Sequence, residues 1–171
     1  MILSGKEIKK ALNKDIIITP FNESYLNSNS YDLTLNEELL VYKDEMLDMK
    51  RNNETKKIVI PDEGYTLLPG KVYLASTNEY TDVRNYIPII EGRSSVGRLG
   101  LFVHISSPYG NIGYKGKWVL ELTAVQPLKI YKDVKICQII FQEINGEYEP
   151  YNNKYQDTKD VSSSKLYKEF D

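Results

Sequence analysis

Beyond Asn13 the apolar residues stop recurring every three or four positions and begin to alternate with polar ones, as in Tyr31, Leu33 and Leu35. That change of period commits most of the chain to strands. The runs LLVY, KIVIP, GYTLL, KVYLAST and YIPII follow in succession. Pro61 to Gly64, Pro69-Gly70 and, further on, Lys132-Asp133 punctuate the pattern with residues that set turns rather than extend strands. Turn signals at intervals of about 8 to 12 residues predict a mainly β domain, a sandwich or a barrel. Only the start differs. Ser4 and Glu7 have the spacing of a capping box, and Ile8, Ala11 and Leu12 recur at helical spacing, which predicts one short helix from Gly5 to Asn13.

A chain of 171 residues has the size of one domain, so 1–171 is read as a single unit. The polar run KRNNETKK, Lys50 to Lys57, reads as a solvated loop. From Asn152 the sequence turns polar again, and 152–171 reads as a C-terminal tail or lid in which Leu166, Tyr167 and Phe170 offer an apolar handle. A net charge of −2 provides no global attraction for a nucleic acid polymer or an anionic membrane, so an anionic ligand needs a local basic cluster. The N-terminal MILSGKEIKKALNK fits neither a signal peptide nor a span of about 20 apolar residues, and a soluble protein is expected. Cys137 is the only cysteine and His104 the only histidine. No intrachain disulfide can form, which suits the reducing cytoplasm. Two such residues cannot build a zinc site unless carboxylates supply most of the shell.

Two stretches carry residues suited to chemistry. EGRSSVGRLG, Glu91 to Gly100, sets Arg93, Ser94, Ser95 and Arg98 among three glycines. Glycines allow close backbone approach, serine hydroxyls and main-chain N–H groups donate to phosphate oxygens, and guanidinium forks bind them bidentately. The segment lacks the Gly-Lys-Ser/Thr ending of a Walker A loop. Taken alone it serves equally as a surface turn with two solvated arginines. In GKWVLELTAV, strand alternation puts Val119, Glu121 and Thr123 on one face and Trp118, Leu120 and Leu122 on the other. Read locally, Glu121 is a residue of a solvated sheet face, and His104 a hydrogen-bonded core residue.

Together these stretches resemble those of the dCTP deaminases of the dUTPase-like superfamily. The likeness runs through MILSGKEIKKAL, LNSNSYDLTL, EGRSSVGRLGLFVH, GYKGKWVLE, VQPLKIY, ICQIIF and KYQ, in family order and spacing. The resemblance implies a dUTPase-like β-barrel or jelly roll, assembled as a homotrimer with three sites at the subunit interfaces. It implies that Arg93, Ser94, Ser95 and Arg98 bind phosphates and frame the reaction centre, with Ser94 and Arg98 as catalytic support. Val119 and Leu120 match backbone positions that read the pyrimidine, and Glu121 matches the catalytic glutamate. Tyr151, Lys154 and Gln156 match tail residues that close over the nucleotide, with Thr158 where a second polar amide is common. Mg²⁺ is expected on the triphosphate. The implied deamination needs no zinc, in keeping with one histidine and one cysteine, and Glu121 would be the general base that activates water at C4 of cytosine.

Two departures shape the expected product. Asn111 stands where the superfamily usually carries an aspartate that contacts the sugar 3′-hydroxyl and, in dUTPases, activates the water that attacks the α-phosphate. An amide can hydrogen-bond the hydroxyl but cannot act as a base. The loop HISSPYGN also places Ser106, Ser107 and Pro108 where small apolar residues are usual. The expectation is therefore deamination of dCTP to dUTP and ammonia, with dTTP as a possible inhibitor by resemblance. Two alternatives stand beside it: a bifunctional enzyme that carries dUTP on to dUMP, and a non-catalytic nucleotide-binding trimer.

Overall fold

A computed structural model describes residues 1–170. In chain order its elements are helix α1 (Gly5–Ala11), strands β1 (Ile16–Thr19), β2 (Tyr31–Thr34), β3 (Glu38–Tyr42), β4 (Thr55–Val59), β5 (Tyr65–Leu67), β6 (Tyr73–Val83) and β7 (Ile87–Gly92), the one-turn helix α2 (Ser94–Gly97), and strands β8 (Leu101–Phe102), β9 (Lys115–Ala124), β10 (Leu128–Ile130) and β11 (Lys135–Gln142). The largest sheet runs β4-β3-β6-β9-β8, with β1 also on β6; β2-β11-β7 and β10-β5 form two smaller sheets. Every strand pair is antiparallel. The arrangement is jelly-roll-like, and among the described residues no sheet closes into a barrel. One hydrophobic cluster joins the sheets, with Ile18, Leu33, Leu39, Leu67, Ala75, Ile90, Leu120, Ile130 and Ile139 among its members.

The helix obeys half of its predicted cap. Ser4 Oγ accepts from Glu7 N at 3.3 Å, but the Glu7 carboxylate pairs with Lys10 instead of reaching back. It ends two residues earlier than expected because Leu12 is extended (ψ 140°) and Asn13 is left-handed (φ 62°). β1 follows at once. Its IIIT sequence has no alternation by which to announce a strand, yet Ile16 and Ile18 are buried against β6. β4 starts inside the run expected to be loop. Cross-strand charge explains this: Lys57 bonds Glu38 at 2.8 Å, and Lys43 bonds Glu54 at 2.7 Å just beyond the strand ends.

β9 alternates as expected, with Trp118, Leu120, Leu122 and Ala124 buried and Val119, Glu121 and Thr123 half-exposed. Its ladder with β6 breaks between Ser76 and Tyr80, where three β6 residues oppose Trp118 alone. Thr77 Oγ1 repairs the gap by accepting from Trp118 N at 3.0 Å. The bulge turns Glu79 inward, where both its oxygens accept from Thr34 at 2.8 Å. Burial raises its carboxyl above the ordinary value.

The tail is anchored differently from the expectation. Phe170 of the apolar handle is exposed. Backbone and polar groups around Asp157 do the holding. Thr158 bridges to Gly116, Lys117 N donates to Thr158 O at 2.7 Å, and Asp157 N donates to Lys115 O at 2.9 Å.

Candidate active site

The β8–β9 ladder is only two residues long, pairing Leu101 with Ala124 and Phe102 with Thr123. Past Phe102 the chain peels away, and only Val103 O still meets β9, accepting from Glu121 N at 3.0 Å. The edge of β9 at Val119 is left open, on the side towards which the N–H of Val119 points. A cavity of about 490 Å³ lies there, a size suited to a small organic ligand. Val119, Glu121, Trp118, Tyr114, His104, Ser107, Tyr109 and Asn111 are among its walls, and the tail closes it with Tyr151, Tyr155, Thr158 and Ser162 to Ser164.

Glu121 presents its carboxylate on this wall. His104 Nδ1 lies 2.7 Å from its Oε2, while Oε1 has no hydrogen bond among the described residues. The glutamate side chain is 37% exposed and that of the histidine 12%. His104, expected to be a core residue, is thus a neighbour of the expected base. No local signal marks that contact, because the two residues are 17 positions apart, Glu121 on β9 and His104 in the loop after β8.

The aromatic wall is rigid. The Tyr114 and Trp118 rings lie 4.6 Å apart, and Trp118 Nε1 donates to Thr81 Oγ1 at 3.0 Å. Burial pushes the Tyr114 hydroxyl up to about 12, so it stays a donor and bonds Lys117 O at 2.8 Å. Gly110 is required here, since a Cβ would come within 2.4 Å of the Trp118 ring. Asn111 lines the cavity with its amide free of hydrogen bonds among the described residues.

The expected residues fall into four groups. Glu121, Val119, Asn111, Tyr151 and Thr158 meet in this cavity. Leu120 lies beside it with its side chain wholly in the core, which leaves only its backbone for recognition. Lys154 and Gln156 do not line it. Lys154 pairs with Glu169. Gln156 accepts from Lys115 N at 3.0 Å and donates to Gly113 O at 2.8 Å and Tyr151 O at 2.9 Å, so it anchors the tail.

The glycine-rich segment stands elsewhere. Arg93 and Ser94 line a second cavity of about 620 Å³, and Ser95 and Arg98 are exposed outside both. Among the described residues His104 alone lines both cavities. Arg93 is partly committed to the fold: Nε donates to Asp32 Oδ1 at 3.0 Å and Nη1 to Lys135 O at 3.2 Å. Within one chain, Ser94 and Arg98 are therefore not brought to Glu121. Around them Leu99, Phe102, Ile105 and Val125 are each more than half exposed, an apolar rim of the kind that marks a protein contact.

A family model described as dCTP deaminase-like matches residues 2–144. The chain is 54% identical to a protein of Clostridium acetobutylicum named dCTP deaminase, dUMP-forming, over 171 residues and 99% of each chain. A protein of the same name from Hathewaya histolytica is 55% identical over 172 residues, with 100% of both chains covered. The fold also matches the crystal structure of 2′-deoxycytidine 5′-triphosphate deaminase from Agrobacterium tumefaciens, with a TM-score of 0.66 at 17% identity. That match covers 83% of this chain and 48% of the other.

Proposed function

Because the chain belongs to the dCTP deaminase-like family, we propose that it deaminates dCTP and then cleaves the resulting dUTP to dUMP and pyrophosphate. The observation that carries the first step is Glu121, which lines the cavity with Oε2 held by His104 and Oε1 free of hydrogen bonds among the described residues. Water adds to C4 of the cytosine as Glu121 takes its proton. The same carboxyl then delivers that proton to the amino nitrogen, the C4–N bond breaks, and ammonia leaves. The open edge of β9 at Val119 offers backbone groups for the pyrimidine. No zinc is invoked: Cys137 is buried in the core, where desolvation pushes its thiol far above the ordinary range, so His104 has no thiolate partner.

The end point differs from the one expected from Asn111 alone. Relatives that share more than half of the sequence over the whole chain are named dUMP-forming, which supports the bifunctional reading over a reaction that stops at dUTP. In that second step water attacks the α-phosphorus and the bond to the bridging oxygen breaks, releasing pyrophosphate. Asn111 would orient the sugar and the water by hydrogen bonds. Mg²⁺ would ride on the triphosphate and neutralise its charge; among the described residues no three His, Cys, Asp or Glu side chains converge to hold a metal.

The placement of Ser94 and Arg98 away from Glu121 and the apolar rim around Arg98 support a homotrimer in which one subunit's Arg98 segment completes its neighbour's cavity. A nucleotide substrate and a single buried thiol support a cytoplasmic enzyme. The test is incubation with dCTP and Mg²⁺, with ammonia assayed and nucleotides separated chromatographically. dUMP and pyrophosphate are expected. Intact dUTP would remove the second step, and no ammonia from dCTP would overturn the whole reading. Glu121→Gln should retain nucleotide binding and release no ammonia.

A further inference from the structure

Residue 121 is gripped twice from one turn of chain: its N–H by Val103 O at 3.0 Å and its carboxylate by His104 Nδ1 at 2.7 Å. The second grip matters for chemistry. The terminal torsion of a glutamate is broad, so an unheld carboxylate samples many planes, and a single directed donor selects one. A carboxylate can only accept, so the ring hydrogen facing Glu121 is on Nδ1. The other ring nitrogen, Nε2, is buried and has no hydrogen-bond partner among the described residues. A buried ring nitrogen without a partner is uncommon in a folded protein. It shows that packing alone did not select this side chain, since an apolar residue would fill the space without that cost.

We infer that His104 is a positioning residue, which fixes Oε2 of Glu121 through Nδ1 so that Oε1 alone is presented to the reacting water and leaving amine. The role rests on the deamination proposed above for this same cavity. His104 occupies the wall shared by the cavities of Glu121 and of Arg93 and Ser94, so the residue that orients the base also borders the expected phosphate-binding segment.

The experiment has one arm that needs no turnover. His104 is the only histidine, so selective ¹⁵N-histidine labelling yields a single ring to observe. One ring N–H resonance protected from solvent exchange is expected in the free protein, and it should shift in Glu121→Gln. A freely exchanging N–H, or one indifferent to Glu121→Gln, overturns the inference whatever the protein's activity. The second arm is kinetic. His104→Leu should lower kcat for ammonia release from dCTP about 100-fold with KM changed less than about threefold, the signature of a misplaced base rather than lost binding. His104→Asn keeps an N–H close to the place of Nδ1 and should recover about tenfold of that loss or more. A His104→Leu enzyme with wild-type kcat, or folded Leu and Asn variants that are equally impaired, overturns the inference in favour of a packing role. A wild-type protein that releases no ammonia from dCTP refutes the proposed function instead, and the labelled-histidine arm still decides whether His104 holds Glu121.

Discussion

Arg93 donates from Nε to Asp32 Oδ1 at 3.0 Å, and Lys135 meets the other oxygen of that carboxylate at 3.2 Å. Asp32 is 3% exposed at its side chain, so the arginine that opens the glycine-rich segment neutralises a buried charge before any phosphate arrives. Breaking a buried pair from one side leaves the other charge stranded. With Lys135 still in place, Arg93→Ala should cost roughly 2–3 kcal/mol of stability, measured by denaturant unfolding. Arg98→Ala, at an exposed position without a side-chain partner among the described residues, should change stability by less than about 0.5 kcal/mol. If Arg98 completes a neighbouring subunit's site, its loss should nevertheless remove most of the deaminase activity.

A Cβ on Gly116 would come within 2.9 Å of both Thr158 N and Thr158 O, at a backbone φ of +148°. Only glycine lets the tail lie against β9 here. Gly116→Ala should release residues 156–158 and speed tryptic cleavage at Lys154, Lys159 and Lys165 by about tenfold or more, since local opening governs proteolysis of such segments. The cavity loses the wall formed by Tyr155, Thr158 and Ser162, so KM for dCTP should rise as well. Unchanged tail cleavage would show that the alanine is accommodated by a shift of β9.

The tail latch should also respond to pH. Tyr80 donates to Asp157 Oδ1 at 2.7 Å. The bond holds the Asp157 carboxyl below its ordinary 3.8, while burial and then the Asp157 charge push the Tyr80 hydroxyl above its ordinary 10.0. A depressed acid contributes stability that is present above its ordinary value and lost as pH falls through the folded one. A raised tyrosine contributes stability present below 10.0 and lost as pH rises through its folded value. Tail protection should therefore be flat from about pH 5 to 9 and fall on both sides. Tyr80→Phe should flatten the dependence. Limited proteolysis with an enzyme active across that range, or Trp118 fluorescence, reads the outcome.

Short apolar runs bounded by turn residues were enough to place β3, β5, β6 and β7, although residues 73–77 and 88–90 are buried on both faces, and alternation placed the inward face of β9. β1 escaped that test: a run of isoleucines has no period to read, and it is a strand only because β6 offers an edge. The first half of β4 escaped because its polar residues pair across the ladder, with Lys57 reaching diagonally to Glu38, and charge pairs look like loop in a one-dimensional pattern. The site divides in the same way. Glu121 is the one carboxylate of β9, yet locally it reads as part of a wet sheet face, and only the family resemblance singles it out. Its partner is not singled out: His104 reaches it only because β8 is two residues long and lets the chain turn over β9, a consequence of sheet geometry. The separation of Ser94 and Arg98 from Glu121 is likewise set by where β7 and β9 lie in different sheets, not by spacing along the chain.

On the function proposed above, Asn111 should govern how far the reaction proceeds. Its side chain lines the Glu121 cavity and is free of hydrogen bonds among the described residues, so it is available to a sugar hydroxyl or a water. An amide can orient water but cannot take its proton, so the proposed second step would depend on positioning rather than on a base at 111. Asn111→Ala removes that positioning. dUTP should then accumulate, with dUMP formation down by about 10²-fold while ammonia release falls less, because C4 is attacked at the other end of the nucleotide. Asn111→Asp restores an acceptor that can also take a proton, and dUMP formation should equal or exceed that of the wild type. Chromatography of products from dCTP and, separately, from dUTP distinguishes the steps. If Asn111→Ala forms dUMP as fast as the wild type from both substrates, the water attacking the α-phosphorus is held by another group, and the open face of Ser107 and Tyr109 across the same cavity becomes the place to look.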